Sequence, residues 1–288
     1  MAPGSTRSVS IGLAQITGAP FAAEKNRELS VESARELFRR GADLAVLPEL
    51  IVSGYVADRD RLLPIAEPLE GPTTSAWGAL AAETGGCVVG GFCERSGDDL
   101  YNSVAAVGPA GILLHYRKLH PFRAEKACFR PGNLGLPVVE VGFGKLGVCV
   151  CYDLRFVEVV RALALDGAEL ICVPTAWVPG FDRERWDRDG FSPQARGALF
   201  QSNLSQVFVA CASQAGRSDG LELLGSSLVC NPYGKPAIGP LPGDRAELAV
   251  VSVDLDMVRA AQSRDPLISP RADRRTDVYG LRLGDRTL

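Results

Sequence analysis

Histidine is nearly absent from this chain of 288 residues, which has two, His115 and His120, in one short stretch. Chemistry that draws on several dispersed imidazoles therefore has almost no raw material. A Ser-His-Asp hydrolase would have to recruit one of this pair, and no G-x-S-x-G elbow is read in the sequence. Runs of lysine and arginine are missing as well. The 31 basic residues against 34 acidic ones leave a net charge of −3, without the basic footprint that nucleic-acid binding requires. No apolar run approaches the roughly 18 residues of a membrane span. The opening Met-Ala-Pro-Gly-Ser-Thr-Arg leads into residues 9–16 with no cleavage pattern after a long apolar core, so no secretion signal is expected. Together these absences predict a cytoplasmic protein with no nucleic-acid partner and no membrane partner.

Cysteine, by contrast, is well represented. In a reducing compartment Cys87, Cys93, Cys128, Cys172, Cys211 and Cys230 read as small buried hydrophobes. The rest of the composition, 46% hydrophobic and 23% charged, is that of a globular protein with a large core. The length allows one or two domains, and no linker is seen that would separate two. Strand-like and helix-like stretches alternate, which predicts an α/β fold with helices packed on a sheet. Strands are expected over residues 9–16, 42–48, 86–93, 101–107, 112–119, 138–141, 146–151, 170–175, 207–213, 226–230 and 248–255. Residues 24–40 place Leu29, Ala34, Leu37 and Phe38 at helical spacing and stop at Gly41. Further helices are expected over 73–84, 156–166 and 194–204. The segment 257–288 is charged and Pro-rich, and reads as a tail over the surface or against a partner subunit.

One octapeptide recurs. Gly41-Ala42-Asp43-Leu44-Ala45-Val46-Leu47-Pro48 is echoed by Gly167-Ala168-Glu169-Leu170-Ile171-Cys172-Val173-Pro174, each copy after a helix. Two helix-then-strand units of one design suggest two related halves. They set Glu49 and Thr175 at equivalent strand ends, where α/β folds handle ligands.

The candidate motifs differ in how well their context supports them. Gly142-Phe143-Gly144-Lys145-Leu146-Gly147 fits the dinucleotide pattern G-x-G-x-x-G by letter, but that fingerprint needs a helix to open at the glycines. The β-rich run Val148-Cys149-Val150-Cys151 follows instead, so a tight hairpin is the reading and no dinucleotide cofactor is expected. Cys149-Val150-Cys151 lacks the second ligand pair of a structural zinc site, so no metal is expected either.

Cys151 ends a strand and is followed by Tyr152, Asp153 and then a helix, which predicts a sharp strand-to-helix turn with the sulfur exposed. Free N–H groups and a helix N-terminus there favour a thiolate and can hold an oxyanion. A buried strand-end cysteine is the plainer alternative. Glu49 directly follows a core strand; burial would raise its pKa and suit it to proton transfer, whereas a helix cap or a surface charge is the simpler reading. Lys118, in Tyr116-Arg117-Lys118-Leu119-His120, ends a hairpin arm and by itself reads as a solvated side chain.

Taken together, Leu-Pro-Glu-Leu at 47–50, Tyr-Arg-Lys-Leu-His at 116–120 and Cys-Tyr-Asp-Leu-Arg-Phe at 151–156 resemble the nitrilase superfamily of carbon–nitrogen hydrolases, in its order and at similar separations. Ser53-Gly54-Tyr55, Tyr101-Asn102-Ser103, Phe129-Arg130-Pro131-Gly132 and Arg274-Arg275-Thr276-Asp277-Val278-Tyr279 extend the likeness over residues 8–280. The resemblance implies a single-domain α-β-β-α sandwich, no cofactor, and subunits paired across a helical face as a homodimer or larger homo-oligomer. It implies that Glu49 takes the proton of Cys151, whose thiolate attacks the substrate carbonyl. Lys118 and the backbone N–H of Tyr152 then hold the oxyanion. Glu125, between the lysine motif and Phe129, fits the family's further glutamate and would orient Lys118. Tyr55 and Trp177 would wall the acyl pocket or belong to the core.

Tyr-Asp after the cysteine is similar to the amidase and carbamoylase branches rather than to nitrilases, which usually show Trp-Glu. Val157 departs from a usual proline, residues 201–206 match the family poorly, and the loop 179–191 is individual to this chain. The expected activity is release of ammonia from a small carboxamide or N-carbamoyl compound through a thioester. A nitrilase and a catalytically silent scaffold of the same fold are the alternatives.

Overall fold

Along β1 (Ser8–Gln15), Val9, Ile11 and Leu13 enter one core cluster while Ala14 enters another, so this strand is covered on both faces. The computed structural model describes residues 7–180 and 182–288. Residues 1–6, on which the reading of the leader partly falls, and Phe181 of the 179–191 loop lie outside the described residues. After β1 come α1 (Ala23–Arg39), β2 (Leu44–Val46), α2 (Arg59–Leu62), α3 (Pro72–Thr84), β3 (Cys87–Ser96), β4 (Asp99–Gly108) and β5 (Gly111–Arg117). A short α4 (Glu125–Cys128) leads to β6 (Val138–Val141), β7 (Gly144–Val148), α5 (Val157–Leu165), β8 (Leu170–Thr175) and α6 (Pro193–Ser205). The chain continues with β9 (Phe208–Ser213), β10 (Ala215–Ser218), β11 (Leu221–Leu224), β12 (Leu228–Cys230), β13 (Pro236–Ile238), β14 (Glu247–Asp254) and α7 (Asp256–Gln262).

Two six-stranded sheets result, ordered β14-β1-β2-β3-β4-β5 and β13-β12-β9-β8-β7-β6. In the first, β1, β2 and β3 run parallel; in the second, β7, β8 and β9 do. The echoed octapeptides supply β2 and β8, the middle strand of each parallel triplet, so the recurrence marks corresponding positions in the two sheets. Their inner faces share one core, to which Ile11, Val46, Val89 and Val104 contribute from one side and Val148, Cys172, Phe208 and Ala210 from the other. Leu37 of α1 with Trp77 and Leu80 of α3 covers the outside of the first sheet. Val160 and Leu163 of α5 with Ala195 and Leu199 of α6 cover the second. The layering is the α-β-β-α sandwich expected.

Gly142 and Phe143 form the turn between β6 and β7, so the glycine-rich letters are a hairpin. The segment read as a tail from Met257 begins inside α7, whose Val258 and Ala261 are buried. It is then pinned by Arg271, which donates to Ala164 O at 2.8 Å and Ser205 O at 2.9 Å, capping the carboxyl ends of both α5 and α6. No helix among the described residues is long and apolar enough to cross a membrane.

Candidate active site

β2 stops at Val46, Pro48 offers no ladder donor, and the chain turns at Leu50, whose φ is +47°. Glu49 sits in this turn, completely buried. Its main chain is held by the second sheet: its N–H donates to Thr175 O at 3.3 Å, and Gln214 Nε2 donates to its carbonyl at 2.8 Å. The two equivalent strand ends thus touch. Asn102 Nδ2 and Lys118 Nζ both donate to Glu49 Oε1, each at 2.7 Å. Oε2 is buried without a hydrogen bond among the described residues, and Cys151 is near enough to draw this carboxyl's pKa down.

Lys118 follows β5 and is fixed by its main chain, its N–H donating to Asn102 O and its carbonyl accepting from Gly132 N, both at 2.8 Å. Its ammonium is fully buried and also donates to both oxygens of Glu125, at 2.9 and 2.8 Å. Glu125 opens α4. Its Oε1 accepts from Tyr55 OH at 2.7 Å and its Oε2 from Phe122 N at 3.1 Å. One buried cation therefore holds two buried carboxylates. Burial works against the Lys118 charge, but Glu125 and Glu49 outweigh it and the ammonium is held above its ordinary range. Burial is also the largest influence on Glu49 and pushes its pKa up; Lys118 offsets this only in part and Glu125 adds to it. A carboxylate raised in this way is a better proton acceptor near neutrality.

From β7 the chain passes through Cys149 and Val150 into a 3-10 turn (Cys151–Arg155), and α5 begins only after it. Cys151 takes φ +45°, a left-handed conformation that costs a side-chain-bearing residue about 1–3 kcal/mol. Asp153 staples the turn in place. Its Oδ2 accepts from Tyr116 OH at 2.7 Å and Val150 N at 3.1 Å; its Oδ1 accepts from the main-chain N of His120 at 3.0 Å and lies 2.7 Å from His120 Nδ1. One carboxylate thus ties the turn to the residues on both sides of Lys118.

The expected exposed sulfur is corrected: Cys151 is only 8% accessible, walled in by Ala176 and Trp177 after β8 and by α6. Burial pushes its thiol well up and the Glu49 charge adds to this, while Lys118 and the Ala176 N–H pull the other way. The turn does not by itself yield a thiolate. A thiolate here would require a neighbouring base to take the proton.

Cys151 opens on a narrow cavity of about 30 Å³ that is also lined by Trp177, Tyr152 and Gln194. Beside it, sharing Phe122 and Val178, lies a wider cavity of about 360 Å³ lined by Tyr55 and Glu125. Trp177 therefore borders the cysteine, whereas Tyr55 is tied to Glu125. Both histidines serve the scaffold: His115 Nε2 lies 2.8 Å from a Glu94 oxygen, and His120 stacks on Phe156 with ring centroids 3.7 Å apart. The letters G-x-S-x-G do occur, at Gly216-Arg217-Ser218-Asp219-Gly220, which corrects the expectation that the chain has no such run. They span the β10–β11 hairpin, no helix follows, and Ser218 Oγ donates to Gly18 O at 3.3 Å.

Glu49, Lys118, Glu125 and Cys151 are brought together from four separate stretches of chain. Sequence reasoning missed Asn102, Gln214 and Asp153 as parts of the site. Asn102 lay within a noted motif, and Asp153 within the cysteine motif, but nothing local signalled their partners.

The model of the carbon-nitrogen hydrolase family matches residues 10–263. A nitrilase from Pyrococcus abyssi is 34% identical over 273 residues, covering 94% of this chain and 99% of that one. An N-carbamoylputrescine amidase from Arabidopsis thaliana is 30% identical over 286 residues, covering 92% and 93%. Among solved structures, a mutant of the amidase from Nesterenkonia sp. AN1 shows covalent addition of the acetamide moiety of fluoroacetamide at its active site cysteine. It superposes with a TM-score of 0.75 at 25% identity, covering 96% of this chain and 98% of that one. Fold, family match and relatives agree, and the chain belongs to the carbon-nitrogen hydrolases of the nitrilase superfamily, enzymes acting on non-peptide C–N bonds.

Proposed function

We propose that this protein is a cysteine-dependent amidase that converts a small carboxamide or N-carbamoyl compound and water to an acid and ammonia. The observation that carries the reading is the saturation of Glu49 Oε1 by Asn102 and Lys118, which leaves Oε2 unbonded in the neighbourhood of the Cys151 thiol. Ionised Glu49 takes the thiol proton on Oε2, and the thiolate attacks the substrate carbonyl carbon. Lys118 Nζ and the Tyr152 N–H stabilise the oxyanion of the tetrahedral intermediate. As the C–N bond breaks, the proton held by Glu49 goes to the leaving nitrogen, which departs as ammonia. Glu49 next deprotonates a water that attacks the thioester, and the acid leaves as the thiolate recovers its proton. Glu125 positions Lys118 and is itself fixed by Tyr55.

The eight unpaired thiols support a reducing, cytoplasmic setting. Exposed Val157, Phe200 and Leu204 on α5 and α6 support pairing with a second copy across that face. The Pyrococcus abyssi relative favours nitriles as the second substrate class to examine.

The test measures ammonia release from simple amides, N-carbamoyl compounds and nitriles, together with the intact mass of the protein after substrate. Turnover of amides or ureides with an acyl adduct on Cys151, both lost in Cys151→Ala, is expected. Activity surviving in Cys151→Ala refutes the mechanism, turnover of nitriles alone moves the protein to the nitrilases, and no turnover leaves a silent scaffold.

A further inference from the structure

The walls of the Cys151 cavity are mostly apolar, and Gln194, in the first turn of α6, is an exception. Its Nε2 donates to Val178 O at 3.3 Å. This fixes the orientation of the amide, because the swapped group would set two oxygens against each other. The other end, Oε1, is then buried with no partner among the described residues. An unpaired acceptor beside a reactive centre is a costly arrangement in the free protein, and a ligand that brings a donor relieves it. Gly197, one turn further along the same face, also lines the cavity, and a Cβ added there would meet nothing within 4 Å among the described residues, which leave room beside Gln194.

We propose that Gln194 is a specificity-determining residue whose Oε1 accepts an N–H carried by the acyl part of the substrate, so that the site selects ureides over plain alkyl amides. This rests on the reading of the protein as an amidase acting through Cys151. The assignment to the acyl side follows from the protein's layout. The leaving nitrogen has to collect its proton from Glu49, which does not line this cavity. The acyl part stays bonded to Cys151 and occupies the space that Cys151 shares with Gln194. For a monosubstituted urea, R–NH–CO–NH2, loss of ammonia leaves the carbamoyl thioester R–NH–CO–S, which keeps an N–H next to the reacting carbon. Water then releases the carbamic acid R–NH–COOH, which breaks down to carbon dioxide and the primary amine of R. The matched amide, R–CH2–CO–NH2, presents a C–H at that point and leaves Oε1 unpaired. Sites that pair a substrate N–H discriminate against the analogue that lacks it.

Propylurea and pentanamide differ by this one exchange of N–H for CH2. Gln194→Met keeps the length of the side chain and removes the amide oxygen. The expected result is that kcat/KM for propylurea falls at least tenfold more than kcat/KM for pentanamide; equal falls, or none, overturn the inference. Binding of both compounds to Cys151→Ala by calorimetry separates this from the reaction itself. Propylurea affinity that drops tenfold more than pentanamide affinity on adding Gln194→Met upholds the role of Gln194 even if the wild type turns over neither compound. Absence of binding, or binding indifferent to Gln194, overturns it.

Discussion

Gly91→Ala sets a single methyl group against the back of the turn that carries Glu49. The new Cβ would lie 2.6 Å from Leu50 N, 2.8 Å from Glu49 Cα and 2.8 Å from Pro48 O, where ordinary contact begins at 3.4 Å. The turn must therefore retreat by about 0.6–0.8 Å. All three atoms are main chain, so no rotamer change absorbs the clash. The same turn is held from the second sheet by Thr175 O and Gln214 Nε2, so the retreat strains those bonds and shifts the carboxylate relative to Cys151. Overpacking of this kind costs roughly 1–3 kcal/mol of stability, and a displacement approaching 1 Å at the chemistry costs on the order of a hundredfold in rate. We expect Gly91→Ala to lower Tm by several degrees while kcat/KM of the folded enzyme, measured well below Tm, falls on the order of a hundredfold. Alkylation of Cys151 by iodoacetamide, followed by mass, should slow in parallel, because the base that takes the thiol proton has moved. A variant that loses Tm yet keeps wild-type kcat/KM and alkylation would refute the claim that Glu49's position sets the reactivity of the thiol.

Asn102→Leu removes one of the two donors to Glu49 Oε1. The donor favours the ionised form, so its loss raises a carboxyl pKa that burial has already pushed up, and the acid limb of the kcat/KM profile should move to higher pH by about one unit; an unmoved limb argues against Glu49 as the base. Glu94→Gln tests the scaffold under Lys118. Burial pushes the Glu94 carboxyl up, but hydrogen bonds from His115, Arg117 and Ser103 outweigh it and hold the pKa at about 2, against 4.5 for the ordinary group. A depressed carboxyl contributes stability that is present above its unfolded pKa and lost as pH falls through the folded one. The wild type should therefore lose urea resistance between pH 4.5 and about 2 more steeply than Glu94→Gln. Identical slopes would show that this cluster does not couple protons to folding.

Much of the site was legible because its members sit in short motifs with strong local character. Glu49 and Cys151 each follow a short apolar run that reads as a buried core strand, and the recurrence of Gly-Ala-acid before Leu44 and Leu170 marked strands that the fold places at the middle of matching triplets. What escaped were relations between distant residues. Asn102 reaches Glu49 across 53 positions and Gln214 reaches it across 165, separations that leave no periodicity to read. The exposure of the Cys151 sulfur failed for the same reason: a sharp turn predicts an open thiol, but the walls that close it, Trp177 and α6, come from later in the chain. The 3-10 turn before α5 was likewise hidden, since Asp153 holds it through Tyr116 and His120, 37 and 33 positions away, as well as through the nearby Val150 N–H.

The hydrogen bond between Glu49 N–H and Thr175 O has a bearing on biosynthesis. Glu49 and Lys118 emerge from the ribosome before Cys151, and the groups that hold the Glu49 main chain, Thr175 and Gln214, emerge later still. On the proposed mechanism a nascent chain therefore carries an unarmed thiol, and hydrolysis begins only when the second sheet docks against the first. Hydrolytic activity in this protein doubles as a certificate of completed folding, and two separately expressed halves, cut in the stretch between α4 and β6, would be silent alone and active only as a reassembled pair.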